Sequence, residues 1–139
     1  MKNLTLAGVF AVLAAPVMAE GDAAAGEEAF GRQCVSCHIV ADGDGNVLAG
    51  RRARTGPNLY NLVARGIGTA DFDYGDSIVE YGATGATWTE EVFVGYVMDP
   101  TGYLREALDD RRARAKMSFQ VRSADDAANI YAYLATFAE

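Results

Sequence analysis

Cys34-Val35-Ser36-Cys37-His38 is the stretch of this chain from which the rest is read. Two cysteines three residues apart, followed at once by a histidine, form the sequence to which a c-type haem is attached. On a helix that spacing puts both thiols on one side, where each can add to a vinyl group, and the adjacent imidazole can reach the iron. Covalent attachment and one axial bond thus come from five residues. Two other chemistries use the same residue types. Structural zinc wants four closed ligands, and the chain holds two cysteines and one histidine, which makes three. A thioredoxin-like redox pair needs the β-rich surroundings of that fold, whereas strand-like alternation is absent nearly everywhere.

Ahead of the motif, the chain opens MKNLTLAGVFAVLAAPVMAE. Lys2 gives a basic start, the apolar run Leu4 to Met18 is broken only by Thr5, Gly8 and Pro16, and Ala19 is small. This predicts a secretory signal peptide over residues 1–19, cleaved after Ala19, and one domain over 20–139. The alternative is an uncleaved anchor, but the run is shorter than the roughly 20 residues that span a bilayer, and no stop-transfer cluster follows. Export makes a disulfide possible, yet Cys34 and Cys37 would close a very small ring and staple nothing.

The 139 residues are 50% apolar and 22% charged, which suits a single globular domain. Nineteen acidic against twelve basic residues give a net charge of −7, and loss of Lys2 with the leader makes it −8. That balance excludes a nucleic-acid partner held by phosphate contacts. Asp22 caps a predicted helix over Ala23–Gln33, with Ala24, Gly26 and Phe30 as its packing face. Residues 39–58 are Gly-rich and polar and read as an irregular loop. Short helical turns are expected at Leu59–Ala64 and Ser77–Tyr81. Thr87-Trp88-Thr89-Glu90 fits a capping box for a helix that stops before Pro100, and a further helix covers Gly102–Leu108. Ser123 opens the last helix, with Ala127, Ile130, Leu134 and Phe137 on one side. The fold class is therefore all-α with long loops. Its own side chains make a modest core, and a large apolar cofactor would supply the missing interior.

With His38 used, methionine is the natural sixth ligand, and the mature chain has two. Met98 lies at the end of a predicted helix, before Asp99-Pro100. Met117 sits in a loop, in Lys116-Met117-Ser118-Phe119, where a gap-filling role is equally open.

These features together resemble the class I cytochromes c, most closely the long cytochromes c2 of bacteria, over the whole of residues 20–139. The resemblance implies several helices and long loops wrapped around one covalently bound haem c. Gly26 and Phe30 match the first-helix pair that packs on the last helix near Tyr133 and Leu134. Thr55-Gly56-Pro57-Asn58-Leu59 matches a segment whose proline carbonyl accepts a hydrogen bond from the haem histidine, which orients the ring and raises its basicity. Arg65, Tyr74 and Trp88 match residues that bond or neutralise the propionates, Tyr96 matches the tyrosine near the ligating methionine, and Met117 matches that methionine. Ile78 departs from the mitochondrial pattern, where an Asn orders a buried water. The loops 42–54 and 103–115 are longer than in the mitochondrial type.

With His38 and Met117 on the iron no position is open to substrate, and the chemistry is one-electron transfer. The expected role is a soluble, monomeric periplasmic carrier, not inserted in the membrane, taking electrons from a cytochrome bc1 complex. The family supplies its acceptors, a photosynthetic reaction centre or a terminal oxidase. The clusters Arg51, Arg52, Arg54 and Arg111, Arg112, Arg114, Lys116 flank the Pro57 and Met117 segments and are expected to steer docking, with Asp109 and Asp110 partly cancelling the second. The competing reading leaves Met117 off the iron and makes the protein a small-ligand sensor or a peroxidase. A third reading, thiol–disulfide exchange, needs Cys34 and Cys37 free.

Overall fold

The computed structural model describes residues 20–139, and the predicted leader lies outside them. The elements in order are α1 (Ala23–Gln33), β1 (Ile39–Ala41), β2 (Val47–Gly50), a single 3-10 turn (Leu62–Ala64), α2 (Asp76–Ala83), α3 (Glu90–Met98), α4 (Pro100–Ala107) and α5 (Ala124–Ala135).

The two terminal helices begin where their caps place them. Asp22 accepts from the Ala25 N–H at 2.8 Å, and Ser123 from the Asp126 N–H at 3.1 Å, each filling a donor that a helix start leaves unpaired. α1 and α5 share the most extensive interface between elements. α1 buries Gly26, Ala29, Phe30 and Gln33, a helical stripe. Ala24, expected on that face, is exposed, and Ala29 takes its place. Gly26 is required where the helices cross: a Cβ there would fall on the Asn129 carbonyl oxygen and 2.8 Å from Tyr133 Cβ. Phe30 meets Tyr133 with ring centroids 5.7 Å apart. On α5, Ala127, Ile130 and Leu134 are wholly buried.

Three expectations are corrected between them. Residues 39–58 are not irregular throughout, because Ile39–Ala41 pairs antiparallel with Val47–Gly50, with a bulge between Val40 and Ala41. Asp42 makes the turn, its Oδ1 accepting from the N–H groups of Asp44 and Asn46. α3 starts at Glu90, with Thr89 as its cap accepting from the Val92 N–H at 3.2 Å, and not from Thr87. The Thr87 backbone is committed to a bridge with Gly66, so the helix cannot begin before Trp88 is passed. α4 starts at Pro100 rather than Gly102, since proline suits the first helical position and Asp99 caps it by accepting from the Gly102 N–H. The other two helical turns differ only in extent: α2 runs over Asp76–Ala83, and the turn at Leu59–Ala64 contracts to Leu62–Ala64.

Candidate haem site

The attachment motif lies just past the end of α1, in a hydrogen-bonded turn. The Cys34 N–H donates to Phe30 O, and the Cys37 and His38 N–H groups both donate to Cys34 O, at 3.1 and 2.9 Å. The helical relation of the two thiols expected from the sequence thus survives one turn beyond the helix. The chain then runs alongside residues 55–59. The Gly56 N–H donates to Cys37 O at 2.8 Å, and the Leu59 N–H to Ile39 O at 2.8 Å. Asn58 clamps the pair from its side chain, donating to Ala41 O and accepting from the Ala41 and Tyr60 N–H groups. This register brings the Pro57 carbonyl to His38, whose Nδ1 donates to it at 2.9 Å. With Nδ1 used as donor, Nε2 is left as the imidazole's metal-binding nitrogen.

Cys34, Cys37 and His38 line a cavity of about 470 Å3. Within the same walls lie Pro57, Arg65, Tyr74, Trp88, Tyr96, Lys116 and Met117. Every residue read from the sequence as surrounding the cofactor is therefore brought to one place. Met98 is half-buried on α3 and is not among the lining residues. The six arginines assigned to docking are not among them either; all six are exposed, and Arg52 and Arg54 line a separate, smaller cleft of about 250 Å3. No local pattern marks Phe72, Phe93, Val97 and Ile130 as lining the main cavity, because their partners come from distant segments. Ile78 lines it too and brings no polar group to the place of the mitochondrial Asn.

The electrostatics follow from burial. Loss of solvent holds His38 below its usual range despite the opposing pull of the Pro57 carbonyl, so its ring is neutral and able to bind metal. Burial, with Cys37 as a lesser influence, pushes the Cys34 thiol up to about 12. Neither thiol is in a disulfide. Arg65 is held by its own segment, its guanidinium donating to the main-chain carbonyls of Tyr60 and Asn58. Burial lowers its pKa, with Tyr74 acting the other way, but a guanidinium keeps its charge and gives this cavity a fixed cation. Tyr96 packs edge-on against Trp88 at 5.3 Å, and burial raises its phenol to about 12.

The family model described as cytochrome c oxidase, cbb3-type, subunit III matches residues 21–86, which include the attachment motif and the Pro57 segment. The cytochrome c2 of Rhodovulum adriaticum is 56% identical over 117 residues, covering 84% of this chain and 92% of that protein. This chain belongs to the cytochrome c2 family. Another relative, cytochrome c-551 of Roseobacter denitrificans, is 50% identical over 135 residues, 95% of this chain and 94% of that one. The structure of cytochrome c2 from Rhodobacter sphaeroides matches with a TM-score of 0.82 at 50% identity, covering 86% of this chain and 98% of that chain.

As a cytochrome c2, the protein has the class I cytochrome c fold, carries one covalently attached haem c and serves as an electron carrier rather than an enzyme. The residues present fit that group. The cavity's volume falls in the roughly 300–1,000 Å3 range of small-molecule and cofactor sites. Its lining is mainly apolar, with two thiols and a neutral imidazole at one end of α1 and a half-buried cation at Arg65. No helix among the described residues is long and apolar enough to cross a membrane.

Proposed function

We propose that this cytochrome c2 is a soluble periplasmic carrier with His38 and Met117 as axial ligands, moving single electrons from a cytochrome bc1 complex to a photosynthetic reaction centre or a terminal oxidase. The observation that carries the reading is that Met117 shares a cavity with Cys34, Cys37 and His38, and Met98 does not. When bound, the haem supplies a one-electron couple at its iron. Cys34 and Cys37 hold it through thioether bonds, so it is not exchanged. His38 is kept neutral by burial and fixed in direction by Pro57. Met117 brings a thioether, which favours the reduced state, and the apolar lining works in the same direction because the oxidised centre carries one charge more. Arg65, Tyr74 and Trp88 are the groups suited to the propionates. With both axial places taken by the chain, no small molecule enters, and the only change left is in oxidation state.

The exposed cations suit brief docking to acidic partner surfaces. Their strength is uneven. Lys116 pairs with Asp73 at 2.8 Å and Arg112 with Asp110 at 3.6 Å, so Arg51, Arg52, Arg54, Arg111 and Arg114 carry most of the uncompensated charge in the two clusters. The test of the axial assignment is exposure of the native, reduced protein to carbon monoxide. A spectrum unchanged within the mixing time supports a closed site; rapid binding at neutral pH makes the protein a ligand-binding haem protein instead.

A further inference from the structure

Met117 is carried by a segment without regular structure, yet each of the three residues before it is fixed to a different part of the molecule. The Arg114 N–H donates to Ser77 Oγ on α2 at 3.1 Å. The Ala115 N–H donates to Thr101 Oγ1 on α4 at 3.2 Å. Lys116 Nζ donates to the Asp73 carbonyl at 2.7 Å and to its carboxylate at 2.8 Å. The next main-chain tether is the Val121 N–H, which donates to Val97 O on α3 at 2.9 Å. Residues 117–120 are therefore a short span strung between two fixed points. Ser118, Phe119 and Gln120 are exposed and Met117 is half-buried, and Ser118 and Phe119 line the cavity beside Met117.

The anchors differ in strength. The Lys116 and Asp73 side chains are 53% and 97% exposed, and ion pairs in that setting contribute little. Ser77 and Thr101 are half-buried on helices, and each satisfies a loop N–H that no other main-chain group engages. The contact is close as well as bonded: a Cβ on Gly75, at the start of α2, would lie 3.3 Å from Lys116 Cγ. Neither hydroxyl residue lines the cavity, so any influence on it passes through the backbone of residues 114–116.

We infer that Ser77 and Thr101 are positioning residues for electron transfer: by holding the Arg114 and Ala115 amides they keep the Met117 thioether in the haem cavity and set how readily an outside ligand replaces it. The inference rests on Met117 being the axial ligand. A thioether presented by four residues that are tied only by the long side-chain bond from Gln120 Nε2 to Asp99 Oδ1, at 3.5 Å, is only as persistent as the anchors at either end of them.

The test uses ferric holoprotein and imidazole as the probe. At saturating imidazole the binding rate is limited by departure of the thioether. Ser77→Ala and Thr101→Val are each expected to raise that limit about 2–10-fold, the equivalent of one neutral hydrogen bond, and the double variant to approach the product of the two. Asp73→Asn is expected to stay within about twofold of the parent. Asn129→Ala, which removes the side chain accepting from the Asp22 N–H between α1 and α5, controls for general loosening: it should lower the urea midpoint and leave the imidazole limit alone. A double variant with the parental limit and an intact sulfur-to-iron charge-transfer band overturns the inference, as does an Asn129→Ala protein whose limit rises equally. If the Met117→Ala protein retains that band, Met117 is not the ligand, and the axial reading fails with the inference; the band in the single variant tells this case from the others.

Discussion

His38 Nδ1 donates to the carbonyl of Pro57 at 2.9 Å, and the residue that makes the approach possible is Gly56. A Cβ on Gly56 would fall on the imidazole itself, 2.7 Å from Nδ1 and 2.9 Å from Nε2. The ring is therefore held from one edge by a hydrogen bond and bounded on that flank by bare backbone. Gly56→Ala is expected to displace His38 and to cost about 1–3 kcal/mol, the usual penalty of overpacking, read as a lower urea midpoint of the oxidised holoprotein. An unchanged midpoint would mean that the ring is free to move aside.

Met117 and Met98 should respond differently to the same change. Met117→Leu keeps apolar bulk but removes the thioether, so the reduced protein should bind carbon monoxide and its reduction potential should fall. Met98→Leu is close to a volume-conserving swap at a half-buried position and is expected to leave both properties at parental values, with a stability change under about 1.5 kcal/mol. Carbon monoxide binding by the Met98 variant alone would reverse the assignment.

Tyr96 is one of several phenols, Tyr60 and Tyr103 among them, that give the stability curve an alkaline limb. Its phenol lies at about 12 in the native protein, against 10.0 in the unfolded chain, chiefly through burial and secondarily through Tyr74. Below pH 10 both states are neutral and the contribution is whole. Between 10 and 12 the unfolded chain ionises while the native phenol does not, so stability falls by up to about 1.4 kcal/mol per pH unit from this group. Urea unfolding of parent and Tyr96→Phe at about pH 9 and about pH 11 should show a shallower decline in the variant. Equal declines would place the effect elsewhere.

Docking is tested by salt. Electron transfer to an acidic partner should slow as ionic strength rises, because charges more than about 8–10 Å apart are screened at physiological salt. Arg111→Gln and Arg114→Gln should each weaken that dependence more than Arg112→Gln, whose charge is already engaged by Asp110. Rates independent of salt would remove steering altogether.

Some of this molecule is legible in its sequence alone. The terminal helices are, because Asp22 and Ser123 cap within three residues and the stripe on α5 has helical period. The hairpin is not: strands of three and four residues are too short to show alternation, and pairing between Ile39 and Gly50 is a contact across eleven positions. Nor is the start of α3, which depends on a bridge from Thr87 to Gly66 that no local window contains.

What the sequence determined by itself is the chemistry that needs only near neighbours: two thiols and an imidazole within five residues fix the cofactor, whatever the chain does later. The tertiary structure decided which distant groups join them. Met98 and Met117 offer the same atom, and Arg65, Tyr74, Trp88 and Tyr96 could each have been ordinary core or surface residues. Cavity membership is settled by how α2, α3 and α4 pack and by where the Arg114–Lys116 backbone is tied, and these are sums over contacts far apart in the chain.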